Sequence, residues 1–334
     1  MTEIISNNLL SPAILFFVLG LLAATVKSDL KFPKGLSETL SIYLLAAIGL
    51  KGGIELSRHA GDDLLQPVVG ALFLGTFIPV ITIFVCRLVK LDVKNSVALG
   101  ATYGSVSIVT FAAAVSFLEM ANIEFESFMT AIVVLLESPA IIVSLILFHW
   151  LQLEKRPSKA LGIIPASLNF QGLFNPHIIK ESLFGKSILL LTGSLVIGYI
   201  VGDNGIPIIK PLFIDLYQSV LVVFLLGMGL TAGERLSEVR KYGWKLIGLA
   251  ILFPLVFGMV GLLIGKLTGL SLGGLFLMGI LAASSSYIAA PAAIKSAVPG
   301  ANPSIYLGLS LGITFPFNLT IGLPLYFEMA KIIY

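Results

Sequence analysis

The stretch GATYGSVSIVTFAAA, residues 100–114, is a small, hydroxyl-rich island inside an otherwise apolar segment. A second island, GILAASSSYIAAPAA, occupies residues 279–293. An offset of 179 positions places Ser105 on Ser284 and Ser107 on Ser286. Serine and glycine are poor material for an unbroken helix. The two islands therefore predict two membrane helices that break in mid-bilayer, meet there and hold a small polar solute between them.

The composition is that of an integral membrane protein. The 334 residues are 57% hydrophobic and 12% charged, whereas soluble domains carry about 25% charged residues. The single cysteine, Cys86, excludes a disulfide within the chain and a cysteine-based metal site. The sequence contains no phosphate-binding loop, zinc spacing or nucleophile elbow. We therefore expect neither an enzyme nor a nucleic-acid-binding protein, and no cofactor besides a coupling ion.

Apolar segments of roughly 20 residues are long enough to cross a bilayer. The sequence contains ten of them, at 9–27, 36–55, 64–89, 95–118, 127–152, 184–203, 212–233, 244–267, 273–296 and 303–330. The predicted fold is an all-α membrane protein with ten transmembrane helices. The N-terminus lacks the basic region of a cleavable signal peptide, so we expect the first segment to be retained.

Lysine and arginine are distributed unevenly among the predicted loops. Most of the 21 lie in loops that follow odd-numbered segments, such as 27–34, 87–94 and 235–245. Basic loops stay in the cytoplasm. Both termini are therefore expected on the outer side of the plasma membrane.

The two halves of the chain resemble each other. An offset of 180 aligns Gly49 with Gly229 and Gly53 with Gly233. We divide the chain into a five-helix repeat at 1–152, a cytoplasmic linker at 153–183 and a second repeat at 184–334. Five spans are an odd number, so the second repeat enters the membrane from the opposite face, as in many secondary transporters. The linker is either a solvated connection or a docking surface for a cytosolic regulator.

A broken helix frees main-chain groups at the bilayer centre. Half-helix N-termini offer N–H donors and partial positive charge to an anion, and unwound carbonyls offer oxygen to a cation. The alternative is that small residues and serines serve only close helix packing. Hydroxyl groups in the islands add neutral ligands, at Ser105, Ser107, Thr110, Ser284, Ser285 and Ser286.

Glu137 lies in the apolar run IVVLLESPAIIV, residues 132–143. A carboxylate at the bilayer centre costs at least about 2.5–3.5 kcal/mol. It needs a partner, and a bound Na⁺ or a proton would serve. One carboxylate among neutral oxygens favours Na⁺ over Ca²⁺. The alternative is a structural, protonated group, or one nearer the surface.

Segment ten supplies further oxygen atoms. Pro316 and Pro324 distort this helix, and Thr314 and Asn318 lie four residues apart on one face. They are candidate cation ligands. The alternatives are a hydrogen bond from Thr314 to its own helix backbone and a hydrogen bond from Asn318 to another helix.

In segment two, Lys51 and Glu55 are expected to form an i,i+4 surface pair, with a role at the entrance as the alternative.

These residues carry a resemblance to the sodium-dependent bicarbonate transporter family over essentially the whole chain. The most specific parts are SSSYIAAPAA at 284–293, AVPGANPSIY at 297–306 and SLGITFPFNLTIGLPLY at 310–326, with GLKGG at 49–53 and ESPA at 137–140. The resemblance implies ten spans in two inverted repeats, a core and a gate domain, and two broken helices that cross at the substrate site. It also implies a homotrimer and a PII-like cytosolic regulator.

Carried over by position, the resemblance assigns two sets of site residues. Bicarbonate would contact Gly104, Ser105, Val106, Ser107, Ala283, Ser284, Ser285 and Ser286. Sodium would contact Thr110, Glu137, Thr314 and Asn318 in some combination.

The expected function is sodium-coupled symport of bicarbonate into the cell. One alternative keeps the fold but moves another small monocarboxylate or a bile-acid-like solute. Another is Na⁺/H⁺ exchange with Glu137 as the proton carrier. The small side chains of both islands favour a small anion.

Overall fold

The computed structural model describes residues 10–33, 35–58, 64–153, 186–239 and 243–334. In these ranges the chain is helical and contains no strand. The first half forms α1 Pro12–Thr25, α2 Leu36–Arg58, α3 Leu65–Leu88, α4 Val93–Gly104, α5 Ile108–Met120 and α6 Met129–Leu153. The second half forms α7 Lys186–Val201, α8 Tyr217–Val239, α9 Trp244–Leu267, α10 Leu272–Ala283, α11 Ala289–Ala297 and α12 Pro303–Ile333. The expected linker and regulator-docking surface lie outside the described residues, apart from Leu153.

The described part of the chain contains seven helical stretches that are long and apolar enough to cross a membrane. One of them, Ile188–Leu236, is 49 residues long and overlaps two of the predicted segments. Two shorter apolar helices, α1 and α10, overlap two more. The protein is therefore a multi-pass membrane protein, and each predicted segment overlaps one of these stretches.

The bounds of two helix pairs, α3 with α9 and α4 with α10, repeat at the offset of 179 seen in the sequence. Helices α3 and α9 both have 24 residues, and α4 and α10 both have 12. Each short helix begins at a polar cap, because the side chain of Asp92 accepts the N–H of Asn95 at 3.1 Å and that of Ser271 accepts the N–H of Gly274 at 3.2 Å. Equivalent residues thus start and end equivalent helices.

Two helix pairs pack with their backbones in close contact, α1 along α8 and α2 along α7. Glycine makes this possible. A methyl group at Gly229 would lie 2.1 Å from the carbonyl oxygen of Phe17, and one at Gly53 would lie 2.0 Å from that of Leu195. The repeated glycines therefore serve helix packing, as small residues do in membrane proteins. We call α1, α2, α7 and α8 the paired group.

The remaining helices form the interrupted group, in which α3 packs on α4 and α6, and α9 packs on α10 and α12. All residues in an apolar 18-residue part of Val93–Met120 are buried inside the protein. In the corresponding part of Leu65–Leu88, 44% of the residues are buried. Protein therefore surrounds the interrupted stretch, as irregular backbone at membrane depth requires. Helix α12 contains π turns at Ser310–Thr314 and Asn318–Gly322, so the predicted distortion around Pro316 is present.

Candidate functional site

The first interruption lies between the end of α4 at Gly104 and the start of α5 at Ile108. Ser105 and Ser107 have extended backbone angles there. The hydroxyl of Ser107 accepts the N–H of Thr110 at 3.1 Å and so caps α5. Gly104 fits because a methyl group in its place would lie 2.7 Å from Pro79.

The second interruption lies between the end of α10 at Ala283 and the start of α11 at Ala289. Ser284 has extended backbone angles, as Ser105 does at the equivalent position. Its hydroxyl donates to the carbonyl of Leu281 at 2.8 Å. Both predicted breaks are thus present, at the predicted residues.

The two interruptions are hydrogen-bonded to each other. The N–H of Ser107 donates to the hydroxyl of Ser284 at 2.9 Å, and the N–H of Ser286 donates to the carbonyl of Thr102 at 2.8 Å. The structure therefore brings together the residues predicted to contact substrate, and all of them are buried: Gly104, Ser105, Val106, Ser107, Ala283, Ser284, Ser285 and Ser286.

The serines at the interruptions divide into two kinds. Ser107 and Ser284 use their hydroxyls to hold the two interruptions in place. The hydroxyls of Ser105 and Ser285 are buried and have no hydrogen-bond partner. Burying a polar group without a hydrogen-bond partner costs roughly 1–3 kcal/mol. A ligand that bonded to these two hydroxyls would remove that cost. The sequence placed the serines but did not separate these roles.

Glu137 is buried on α6, with 1% of its surface exposed. Its Oε2 atom has no hydrogen-bond partner. Ala140, one turn along the same face of α6, lies 2.9 Å from where a methyl group on Gly104 would stand. The carboxylate is therefore within a helical turn of the first interruption, in the interior position that the sequence predicted.

Asn318 ties the π turn of α12 to the second interruption. Its Nδ2 donates to the carbonyl of Ala283 at 2.8 Å, at the end of α10. This bond orients the amide, and its Oδ1 is left buried without a partner. The hydrogen bond between helices that was the alternative for Asn318 is therefore present. It still leaves the amide oxygen as an acceptor in the interior.

The two threonines of the predicted sodium set differ in their surroundings. The hydroxyl of Thr314 donates to the carbonyl of Ala250 at 2.7 Å and is 2.7 Å from the hydroxyl of Tyr103. Thr110 is buried in the first turns of α5, beside Ser107. Sequence reasoning missed Tyr103, although a buried tyrosine hydroxyl within an island signals a polar partner.

Cavities approach the interruptions unequally from the two sides. A cavity of about 340 Å³ between the paired group and the interrupted group reaches Tyr287 and Ile288 of the second interruption, with Glu38 and Lys186 also in its wall. A cavity of only about 50 Å³ lies on the other side, against α5. Of these two cavities, only the larger has residues of an interruption in its wall.

The available oxygen atoms suit a small hard cation. The described residues hold no cluster of three or more histidine, cysteine, aspartate or glutamate side chains that could bind a transition metal. One carboxylate oxygen of Glu137 and the amide oxygen of Asn318 are instead buried without partners. Oxygen donors of this kind bind hard cations.

A comparison with known proteins identifies the family of the chain. No curated protein matches the chain. A family model described as the Na⁺-dependent bicarbonate transporter superfamily matches residues 12–331, nearly the whole chain, and confirms the resemblance seen in the sequence. The chain belongs to the Na⁺-dependent bicarbonate transporter superfamily.

Proposed function

We propose that the protein is a secondary active transporter that carries bicarbonate into the cell together with Na⁺. The observation that supports this most is the set of buried oxygens without partners around the joined interruptions. Glu137 and Asn318 contribute acceptors, while Ser105 and Ser285 contribute hydroxyls. A cation and an anion bound side by side would satisfy both kinds of group.

Na⁺ binds first in this proposal, between Glu137 and Asn318. Thr110 and Thr314 are nearby hydroxyl ligands that complete the coordination. The positive charge offsets the desolvation of the carboxylate, which is costly without a partner. Binding also joins α6 to α12 across the interruptions, because the two oxygens come from different helices.

Bicarbonate then binds against the half-helix N-termini. The N–H groups of Ile108 and Val109, at the start of α5, have no intrahelical acceptor, and the helix end carries partial positive charge. The hydroxyls of Ser105 and Ser285 can donate to the same anion. The small side chains at both interruptions favour a small anion such as bicarbonate over larger carboxylates.

We propose ten spans in two inverted five-helix repeats, with the paired group as gate and the interrupted group as core. Three features support this. The bounds of α3 and α4 recur in α9 and α10 at one offset, the α1–α8 contact becomes the α7–α2 contact when the halves are exchanged, and the interruptions occur at equivalent serines. In this arrangement both termini face outward. The family resemblance extends the proposal to a homotrimer and a PII-like regulator at 153–183.

Alternating access follows from these parts. The loaded interrupted group shifts against the paired group, and the sodium gradient favours release inside. A tenfold gradient supplies about 1.4 kcal/mol per ion. With one Na⁺ per bicarbonate the transported charges cancel, so the membrane potential contributes nothing.

Transport by the purified protein in liposomes tests the proposal. Uptake of labelled bicarbonate is measured with inward Na⁺ and with K⁺ in its place, beside an internal pH dye. Symport predicts uptake that requires Na⁺. Uptake of labelled acetate or a bile acid, but not bicarbonate, would support another carboxylate. Na⁺-driven alkalinisation with bicarbonate absent would instead support exchange through Glu137.

A further inference from the structure

The end of α5 is connected to the paired group by polar side chains on the side of the small cavity. Lys51 of α2 forms an ion pair with Glu119 of α5. Gln218, at the start of α8, donates to the other carboxylate oxygen of Glu119 at 3.4 Å. One carboxylate therefore joins the interrupted group to two helices of the paired group. The expected pairing of Lys51 with Glu55 is wrong, because Lys51 pairs with Glu119. Glu55 accepts a bond from Arg58 at 2.5 Å.

Lys51 lies in the walls of two spaces. One is an open surface depression of about 410 Å³ whose wall contains Lys51, Glu119 and Glu124. The other is the cavity of about 50 Å³, whose wall contains Lys51, Ala47 and Phe111. Phe111 lies on α5 one turn beyond Ser107, so the small cavity leads toward the first interruption.

We propose that Lys51 and Glu119 are the outer gate of the transporter. Paired, they close the path from the outer surface to the interruptions; separated, they open it. The proposal rests on the proposed function, because it requires the two helix groups to move against each other. With the pair closed and the 340 Å³ cavity open, the structure corresponds to the inward-facing state.

Exposure and position suit these residues to gating. The side chains of Lys51 and Glu119 are 36% and 28% exposed, and ion pairs with this access to water add little net stability. The pair can therefore break and re-form in each cycle. Glu119 lies about 16 Å along α5 from Ile108, at 1.5 Å per residue, so movement at the gate is transmitted to the interruption by one rigid helix.

A second ion pair offers a matched control. Lys186 of α7 pairs with Glu38 of α2. Both helices belong to the paired group, so this bond joins two helices that are already packed together. Removing it changes the charge of the protein by the same amount as removing Lys51, without releasing α5.

Cysteine labelling tests the gate. Ala47 is 1% exposed and lines the small cavity one turn from Lys51, and the native Cys86 is buried. In cells expressing the full chain with A47C, we expect K51Q to raise the rate of labelling by an external, membrane-impermeant thiosulfonate at least tenfold. E119Q is a second variant with the same expected result, and K186Q should leave the rate unchanged.

Several results would overturn the gate. These are unchanged labelling in both K51Q and E119Q, an equal increase in K186Q, or labelling only in inverted membrane vesicles. Size-exclusion profiles verify that each variant is folded. Labelling needs no bicarbonate transport, so a Lys51-dependent rate in a protein that does not carry bicarbonate would retain the gate and refute the proposed substrate. Transport with unchanged labelling rates would do the reverse.

Discussion

The paired helices and the interrupted helices use the same small residues for opposite purposes. In the α2–α7 pair, Gly53 lets one backbone lie against the carbonyl of Leu195. At the interruptions, small residues again bring chain segments together, but the hydroxyls of Ser105 and Ser285 are left without partners. The packing alternative raised by the sequence thus describes the repeated glycines well. It does not account for the unpartnered hydroxyls.

This difference separates rigidity from binding. A close glycine contact is stabilised by packing that any added atom disrupts. An unpartnered buried oxygen costs free energy until something binds it. Substitutions in the paired group should therefore change the stability of the protein, whereas substitutions at the unpartnered oxygens should change its affinity for solutes.

The largest effect is expected from G53A. Its methyl group would lie 2.0 Å from the backbone oxygen of Leu195, so α2 and α7 must separate. Overpacking of this kind costs roughly 1–3 kcal/mol or more. We expect a clear drop in the apparent Tm measured by size-exclusion chromatography after heating. The control G193A, on α7, has nothing within 4 Å of its new methyl group and should retain the Tm; equal Tm values for G53A and wild type would contradict the close contact.

The next largest effect is expected from E137Q, which keeps the shape of the side chain and removes its charge. Without the carboxylate, a bound Na⁺ has no counter-charge in the interior, so uptake should lose its dependence on Na⁺. We expect the ratio of uptake in Na⁺ to uptake in K⁺ to fall to about one. E124Q, in an exposed loop, is the matched control. Wild-type coupling in E137Q would remove Glu137 from the proposed sodium site.

A smaller loss is expected from N318A. The variant lacks both the unpartnered oxygen and the bond from Nδ2 to the carbonyl of Ala283. We expect the Na⁺ concentration for half-maximal uptake to rise about tenfold, which corresponds to about 1.4 kcal/mol. The maximal rate at saturating Na⁺ should change less. An unchanged Na⁺ requirement would assign Asn318 to helix packing alone.

The finest distinction is between neighbouring serines. S285A removes a hydroxyl without a partner, so the Tm should stay the same or rise, while the KM for bicarbonate rises roughly fivefold, or about 1 kcal/mol. S284A leaves the N–H of Ser107 without its acceptor and should lower the Tm. If both variants behaved alike in both assays, the division of the serines into two roles would be wrong.

Much of the architecture was readable in the sequence, because hydrophobic length, the offset between the halves and serine clusters are local properties. Each predicted segment overlaps an observed helical stretch, and the helix breaks occur at Gly104 and Ala283 as predicted. The pairing of Lys51 was predicted wrongly. Its neighbour four residues along the helix was visible in the sequence, whereas Glu119 is 68 residues away and becomes adjacent only through packing.

The sequence by itself determined that this chain crosses a membrane, that its helices break at two serine islands and that Glu137 is buried among apolar residues. Those features follow from side-chain chemistry over short distances along the chain. Only the tertiary structure decided which polar atoms have a hydrogen-bond partner. Ser107 bonds to Ser284 and Asn318 to Ala283, while the hydroxyls of Ser105 and Ser285 have no hydrogen-bond partner. Hydrogen bonds between distant segments depend on how whole helices pack, and local composition does not encode that geometry.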